Sequence, residues 1–183
     1  MIKPLQSVLS PEDYLEMEKS SEERHEFLSG YMYAMAGASQ RHSRIVGNIF
    51  ATLWQTALNK SCRVHQADMK LRVETSAFYY PDVMVVCDKE EPDPYFETEP
   101  CILVEVLSPS TKHIDVREKM LEYKRLPSLQ TYLIVDLDSL FVRHLWRDDA
   151  GEWQQQDTTG SGTLDMPCLG ATLKLSQIYR GVF

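Results

Sequence analysis

Two apolar runs, each carrying one carboxylate, constrain this 183-residue chain more than any other feature. The first, Tyr79 to Cys87, holds Asp82 near its start; the second, Cys101 to Leu107, holds Glu105 deep inside. Strand alternation puts Glu105 on one face with Cys101, Leu103 and Leu107, a face that otherwise wants to be dry. A bare charge there is costly unless it is paired or coordinates a metal. Both runs are continuous enough to predict central strands covered on both faces.

The composition, 43% hydrophobic and 25% charged, is that of a globular chain, and the length fits one domain over residues 1–183. A net charge of −8 argues against holding nucleic acid through a broad basic surface. Contact with DNA would need a local basic patch or a divalent cation. The four cysteines, Cys62, Cys87, Cys101 and Cys168, are scattered with no Cys-x-x-Cys spacing. They read as small buried hydrophobes with free thiols in a reducing compartment. No run approaches the ~18 apolar residues of a membrane span, and Met1 to Gln6 lacks an apolar signal core, so the expected location is cytoplasmic.

Along the chain, Ser10-Pro11-Glu12-Asp13 predicts a helix start, with Tyr14, Leu15 and Met17 as contacts. Phe27-Leu28 and Tyr31 to Met35, joined through Gly30, predict a β-hairpin. Ser39 to Leu58 carries a helical stripe of Ile45, Val46, Ile49, Phe50, Leu53, Trp54 and Ala57, which points His42 inward near the helix start. Arg63 to Val73 alternates as one half-buried strand, with Ala67, Met69, Leu71 and Val73 on one side. Asp88 to Pro100 holds six acids and three prolines and reads as a solvated loop. Asp115 to Leu126 predicts a helix stopped by Pro127, and Tyr132 to Val135 a buried strand, a parallel crossover unit. Leu140 to Trp146 and Trp153 to Asp157 form a second expected hairpin, and Leu173 to Tyr179 a short closing helix.

If the strands of Asp82 and Glu105 are neighbours, their side chains can share a cation, since adjacent strands lie ~4.8 Å apart. Mg²⁺ suits such a pair, because it takes one or two protein carboxylates and fills its other positions with water and phosphate oxygens. The plainer alternatives are a turn residue for Asp82 and, for Glu105, a buried partner of an arginine or of backbone amides. A lysine normally completes a site of this kind, yet the position two residues after Glu105 is Leu107. The following helix offers Lys119 and Lys124. Val116, Met120, Tyr123 and Leu126 define its inward face, and Lys119 falls between Tyr123 and Leu126 while Lys124 lies nearer the edge. Lys119 is therefore preferred, against the plain alternative of a surface pair with Asp115.

These residues carry a family resemblance. Pro81-Asp82, Glu105-Val106-Leu107-Ser108-Pro109-Ser110-Thr111, Asp115, Lys119, Tyr123 and Tyr132-Leu133-Ile134-Val135-Asp136 together resemble the Uma-type family of restriction endonucleases, within the PD-(D/E)XK nuclease superfamily. Glu26, Gly30 and His42 stand where the family's upstream pattern would put them, and the likeness runs from about Pro11 to Tyr179. The resemblance implies an α/β, restriction-endonuclease-like core, a mixed sheet flanked by helices, with added β-hairpins. It implies Asp82 and Glu105 as ligands of Mg²⁺ or Mn²⁺, the superfamily lysine moved to Lys119, a further acid at Glu26, and His42 beside the site. Lys124, Tyr123 and Asp115 would support substrate or neighbouring side chains. On the residues alone, Glu26 reads as an exposed hairpin acid and His42 as a hydrogen-bonded helix-start histidine. Glu-x-Leu in place of Glu-x-Lys is a departure from the parent motif.

His25, His65, His113 and His144 are too spread for a zinc signature and read as exposed or locally paired. Trp54, Trp146 and Trp153 read as packing. Two functions follow as expectations: a Mg²⁺- or Mn²⁺-dependent endonuclease acting on DNA, or a catalytically inactive binding or assembly module that keeps the nuclease fold. A homodimer is expected because cutting a duplex needs two active sites.

Overall fold

The computed structural model describes residues 8–35, 37–74, 77–88, 93–107 and 115–183, with only the backbone described at 115 and 116. The chain runs α1 (Pro11–Ser20), β1 (His25–Leu28), β2 (Tyr31–Ala34), α2 (Gln40–Ala57), β3 (Arg63–Gln66), β4 (Lys70–Val73), β5 (Ala77–Tyr79) and β6 (Val83–Val86). It continues with β7 (Phe96–Glu97), β8 (Pro100–Leu107), α3 (Asp115–Lys124), β9 (Thr131–Asp136), β10 (Phe141–Arg147), β11 (Trp153–Thr159), β12 (Thr163–Met166), β13 (Ala171–Lys174) and α4 (Leu175–Ile178). A six-stranded sheet has the order β11-β10-β9-β8-β6-β3, and a five-stranded sheet the order β2-β1-β5-β4-β7. The fold is the expected α/β class with mixed sheets. β8 and β9 pair in parallel, with α3 between them in sequence, and every residue of β8 is buried.

Local chemistry explains the first elements. Ser10 accepts from the Asp13 N–H at 3.0 Å, and Asp13 returns the contact to the Ser10 backbone, a reciprocal cap that opens α1. The β1–β2 hairpin turns through Ser29 and Gly30, both at positive φ, the backbone that a two-residue hairpin turn demands. A Cβ at Gly30 would also collide with Val8. In α2, Ser39 caps the helix and Ile45, Val46, Ile49, Leu53 and Ala57 are buried as the stripe predicts. Burying each larger member of that stripe is worth roughly 1.5–3 kcal/mol.

One face of the six-stranded sheet packs on α2, α4 and the β12–β13 ribbon, through Ile49, Leu53, Val83, Val85, Val104, Leu133 and Leu173. The other face packs on α3 and on β4 and β5, through Leu71, Tyr79, Met84, Leu103, Leu107, Tyr123 and Tyr132. Glu105 belongs by alternation to this second face.

Several sequence expectations are corrected. Arg63 to Val73 is two strands in two sheets, because Ala67 and Asp68 adopt positive φ and turn the chain between them. The alternation continues across the break and hides it. Tyr79 to Cys87 is likewise split between β5 and β6, with Asp82 one residue ahead of β6. Cys101 leaves the face of Leu103, because the pairing shifts from Val85–Ile102 to Val86–Pro100 and the bulge turns Cys101 toward the α2 side. The acidic connector is not wholly solvated. Glu97 is buried, with Oε1 at 2.9 Å from Arg63 Nε and from His65 Nε2.

Met17 and Trp54 are 49% and 45% exposed, and the inward place on α1 goes instead to Glu18, which accepts from Tyr80 Oη at 2.9 Å. The closing helix is confined to Leu175–Ile178, the preceding residues pairing as β13. The cysteines are not free: Cys62 is joined to Cys87 and Cys101 to Cys168. The expected leader-free start at Met1 to Gln6, the Ser108 to Thr111 loop and His113 lie outside the described residues.

Candidate active site

β6 and β8 run antiparallel with Val83 opposite Val104, so one further step along the register places Asp82 opposite Glu105. Glu105 is 6% exposed. Its Oε1 accepts from Tyr123 Oη at 2.9 Å and lies 3.4 Å from Lys119 Nζ. Tyr123 and Lys119 are four residues apart on α3, so both reach the sheet from one helical face. Lys119 Nζ is held more tightly by Glu26 Oε1, at 2.7 Å, and lies 5.7 Å from the centroid of the Tyr79 ring. Glu26 Oε1 also accepts from the Tyr80 N–H at 3.2 Å. The β1 strand therefore brings its acid under the helix, anchored on the residues just ahead of Pro81-Asp82.

Asp82 is fixed from two sides. Its Oδ2 accepts from the Val106 N–H at 2.7 Å, and its Oδ1 lies 3.3 Å from His42 Nε2. His42 reaches it from the first turn of α2, where the Ser39 cap sets the helix start. The hydrogen bond to Asp82 raises the His42 imidazole above its usual value, against the opposing effect of burial. Burial pushes the Glu105 carboxyl well above the ordinary carboxylate range; the Lys119 ammonium opposes this, while the Asp82 and Glu26 charges add to it. Burial also raises the Tyr123 phenol, so that it stays a proton donor.

Of the two candidate lysines, Lys119 is at the acids. Lys124 Nζ instead sits 5.7 Å from the Trp153 ring, and the Lys124 carbonyl accepts from Arg147 and Trp153. Glu26 and His42 are both in the cluster rather than at the surface, with side chains 15% and 19% exposed. The Asp115 side chain lies outside the described residues. Tyr79 and Tyr80 join the site without a motif of their own, and only their position directly before Pro81-Asp82 signals it in the sequence. Of the remaining histidines, His25 pairs with Glu18 and His65 with Glu97. His144 departs from expectation: it is buried against Trp146, and burial lowers its imidazole below the usual value.

The donors offered by Asp82, Glu105 and Glu26 are all carboxylate oxygens, the hard set that suits Mg²⁺ or Mn²⁺. Among the described residues these acids do not form a group of three within 4.8 Å. Two of them at most are placed for one ion, which is the number Mg²⁺ commonly takes.

The comparisons agree with this architecture. A "putative nuclease belonging to DUF820" from Anabaena variabilis superposes with a TM-score of 0.78 at 14% identity, covering 96% of this chain and 99% of that one. The chain therefore shares the mixed α/β fold of that structure. The Uma2 family, described as "Putative restriction endonuclease", matches residues 11–176, and the chain belongs to that family. Two relatives come from Synechocystis sp.. The uncharacterized protein slr1290 is 36% identical over 95% of this chain and 93% of its own length. The uncharacterized protein sll1609 is 30% identical over 87% and 93% respectively. No helix among the described residues is long and apolar enough to cross a membrane.

Proposed function

We propose that this chain hydrolyses phosphodiester bonds in DNA with Mg²⁺ or Mn²⁺, the ion being held by Asp82 and Glu105. One observation carries the reading: the buried Lys119 ammonium sits between Glu26 and Glu105, next to the strand end that bears Asp82. A buried ammonium held beside two carboxylates is placed to orient a phosphate or a water that enters the cluster.

When bound, the ion supplies charge neutralisation at the phosphate and acidifies a coordinated water. The protein's own groups do the rest. Lys119 donates to a phosphate oxygen or to the attacking water, and Glu26 holds the ammonium in place. Tyr123 donates to Glu105 and fixes its rotamer; the Val106 N–H and His42 do the same for Asp82. The water oxygen bonds to phosphorus as one P–O ester bond breaks, the water giving a proton to solvent and the departing alkoxide taking one up. A duplex requires two such events, and a homodimer is part of the proposal for that reason.

A second reading, a catalytically silent binding or assembly module on the same fold, draws support from Leu107. That residue is 7% exposed and packed in the core, where the parent motif places its lysine. Plasmid DNA incubated with Mg²⁺ or Mn²⁺ separates the two. Wild type nicks or linearises it, while Asp82→Ala and Lys119→Ala do not. Equal background from all three proteins removes the nuclease reading and leaves the module.

A further inference from the structure

The four cysteines are spread over more than half the chain, yet the sulfurs of Cys87, Cys101 and Cys168 meet at one point, the end of the β3–β6–β8 strands opposite the acids, with Cys62 joined to that group through Cys87. Cys62 precedes β3, Cys87 follows β6, Cys101 lies in β8, and Cys168 arrives on the short 3₁₀ turn between β12 and β13. Cys62 is bonded to Cys87 and Cys101 to Cys168, and the two pairs touch, with Cys87 Sγ 3.5 Å from Cys101 Sγ. The sulfurs of Cys87, Cys101 and Cys168 all lie within 4.8 Å of one another, and among the described residues this is the single group of three metal-ligating side chains so placed. Two staples that only restrict the unfolded chain have no need to touch. Four thiolates around one ion must, because zinc–sulfur bonds of ~2.3 Å in a tetrahedron put the sulfurs about 3.8 Å apart.

We propose that, in the reduced chain, these four cysteines form a closed thiolate site for a divalent ion of the Zn²⁺ class. Cys87, Cys101 and Cys168 form its core, and Cys62 takes the fourth position. Two equivalents of a dithiol reduce the two disulfides, delivering four electrons and four protons and leaving four thiols. The ion then displaces the thiol protons as the sulfurs coordinate it. The surroundings suit a structural site. Cys101 is buried, the other three are half-buried against the apolar core, and thiolate donors select a soft or borderline metal over Mg²⁺. The Arg63–Asp88 ion pair, at 2.8 Å, joins the neighbours of Cys62 and Cys87 and holds the β3 and β6 ends together whether or not the sulfurs are bonded. The ion would clamp the far end of the strand pair that carries Asp82 and Glu105. It is chemically distinct from the carboxylate site and independent of the function proposed above.

The test is Co²⁺ titration of the full chain reduced with a phosphine. The expected result is one tetrahedral, thiolate-bound Co²⁺ per chain, with its visible bands and a near-ultraviolet sulfur-to-metal charge-transfer band, both displaced by Zn²⁺. Cys101→Ser and Cys168→Ser should weaken the ion by more than about 100-fold, and Cys62→Ser by less. Asp82→Ala should leave the tetrahedral bands and the charge-transfer band unchanged. Reduced, folded wild-type protein without the charge-transfer band overturns the proposal, as does a band that survives Cys101→Ser. A reduced chain that stays unfolded with Zn²⁺ present overturns it as well.

Discussion

Lys119 Nζ stands 2.7 Å from Glu26 Oε1 but 3.4 Å from Glu105 Oε1, so its ammonium is anchored on the N-terminal hairpin rather than on the strand it faces. The asymmetry matters because a lysine locked onto Glu105 would compete with any cation for that carboxylate. Held by Glu26, it leaves Glu105 free to exchange its proton for a metal. Both side chains of the Lys119–Glu26 pair are largely buried, and breaking such a pair from one side strands the remaining charge. Lys119→Ala is therefore expected to lower stability at neutral pH by about 3 kcal/mol, and to lower cleavage by at least ~100-fold. Urea unfolding and single-turnover plasmid assays read the two effects. Wild-type stability in Lys119→Ala would remove the electrostatic account of the pair.

Tyr123→Phe isolates the contact to Glu105. The ring stays in its T-shaped packing with Tyr79 and Tyr132, and one buried O–H donor is lost. The stability change should be about 1 kcal/mol. The chemical effect is directional: the phenol favours the charged form of Glu105, so its loss raises that carboxyl further. Since a metal ligand must be ionised, the rising limb of the pH–rate profile should move to higher pH. An unmoved limb would show that Glu105 is not the group being titrated.

The order in which these side chains meet was partly legible in the residues. The α2 stripe, the Gly30 turn, the buried β8 run and the face shared by Tyr123 and Lys119 all follow from periodicity, a local property. What stayed hidden depends on where the chain changes sheet. Ala67 and Asp68 carry no glycine or proline to announce a positive φ, so β3 and β4 read as one strand. Glu97 looks like one acid among six until Arg63 and His65 are brought to it from another sheet. The convergence of Cys62, Cys87, Cys101 and Cys168 has the same origin. None is near another in sequence, and their meeting depends on the β3–β6–β8 order and the bulge at Cys101, which no local pattern encodes.

Glu105→Gln should separate function from stability. With its folded value raised by burial, Glu105 keeps its proton over a range where the unfolded chain, near the ordinary glutamate value of ~4.3, has already lost it. The folded state then binds more protons, and stability falls as pH rises through that window. Glutamine carries no such penalty and still accepts from Tyr123. In metal-free buffer the variant should gain on wild type as pH rises from ~4.3 to the folded value of about 8 and hold that gain above it, while metal binding and cleavage are lost. Parallel stability curves for the two proteins across that range would contradict the burial of an ionisable group at this position.

His42 gives the opposite slope. Its imidazole is raised by the hydrogen bond to Asp82, so the folded state holds a proton that the unfolded chain releases near the ordinary histidine value of ~6.5. The contribution is fully present below that value and is lost as pH rises through the higher folded one. His42→Ala should therefore destabilise the protein more at pH near 6 than near 9, with the difference fading in between. Metal responds in the reverse sense, because a protonated His42 and a cation compete for the same Asp82 charge. Mn²⁺ affinity, followed by calorimetry, should rise with pH in wild type and lose part of that rise in His42→Ala. A pH dependence identical in both proteins would place the His42–Asp82 contact outside the metal equilibrium.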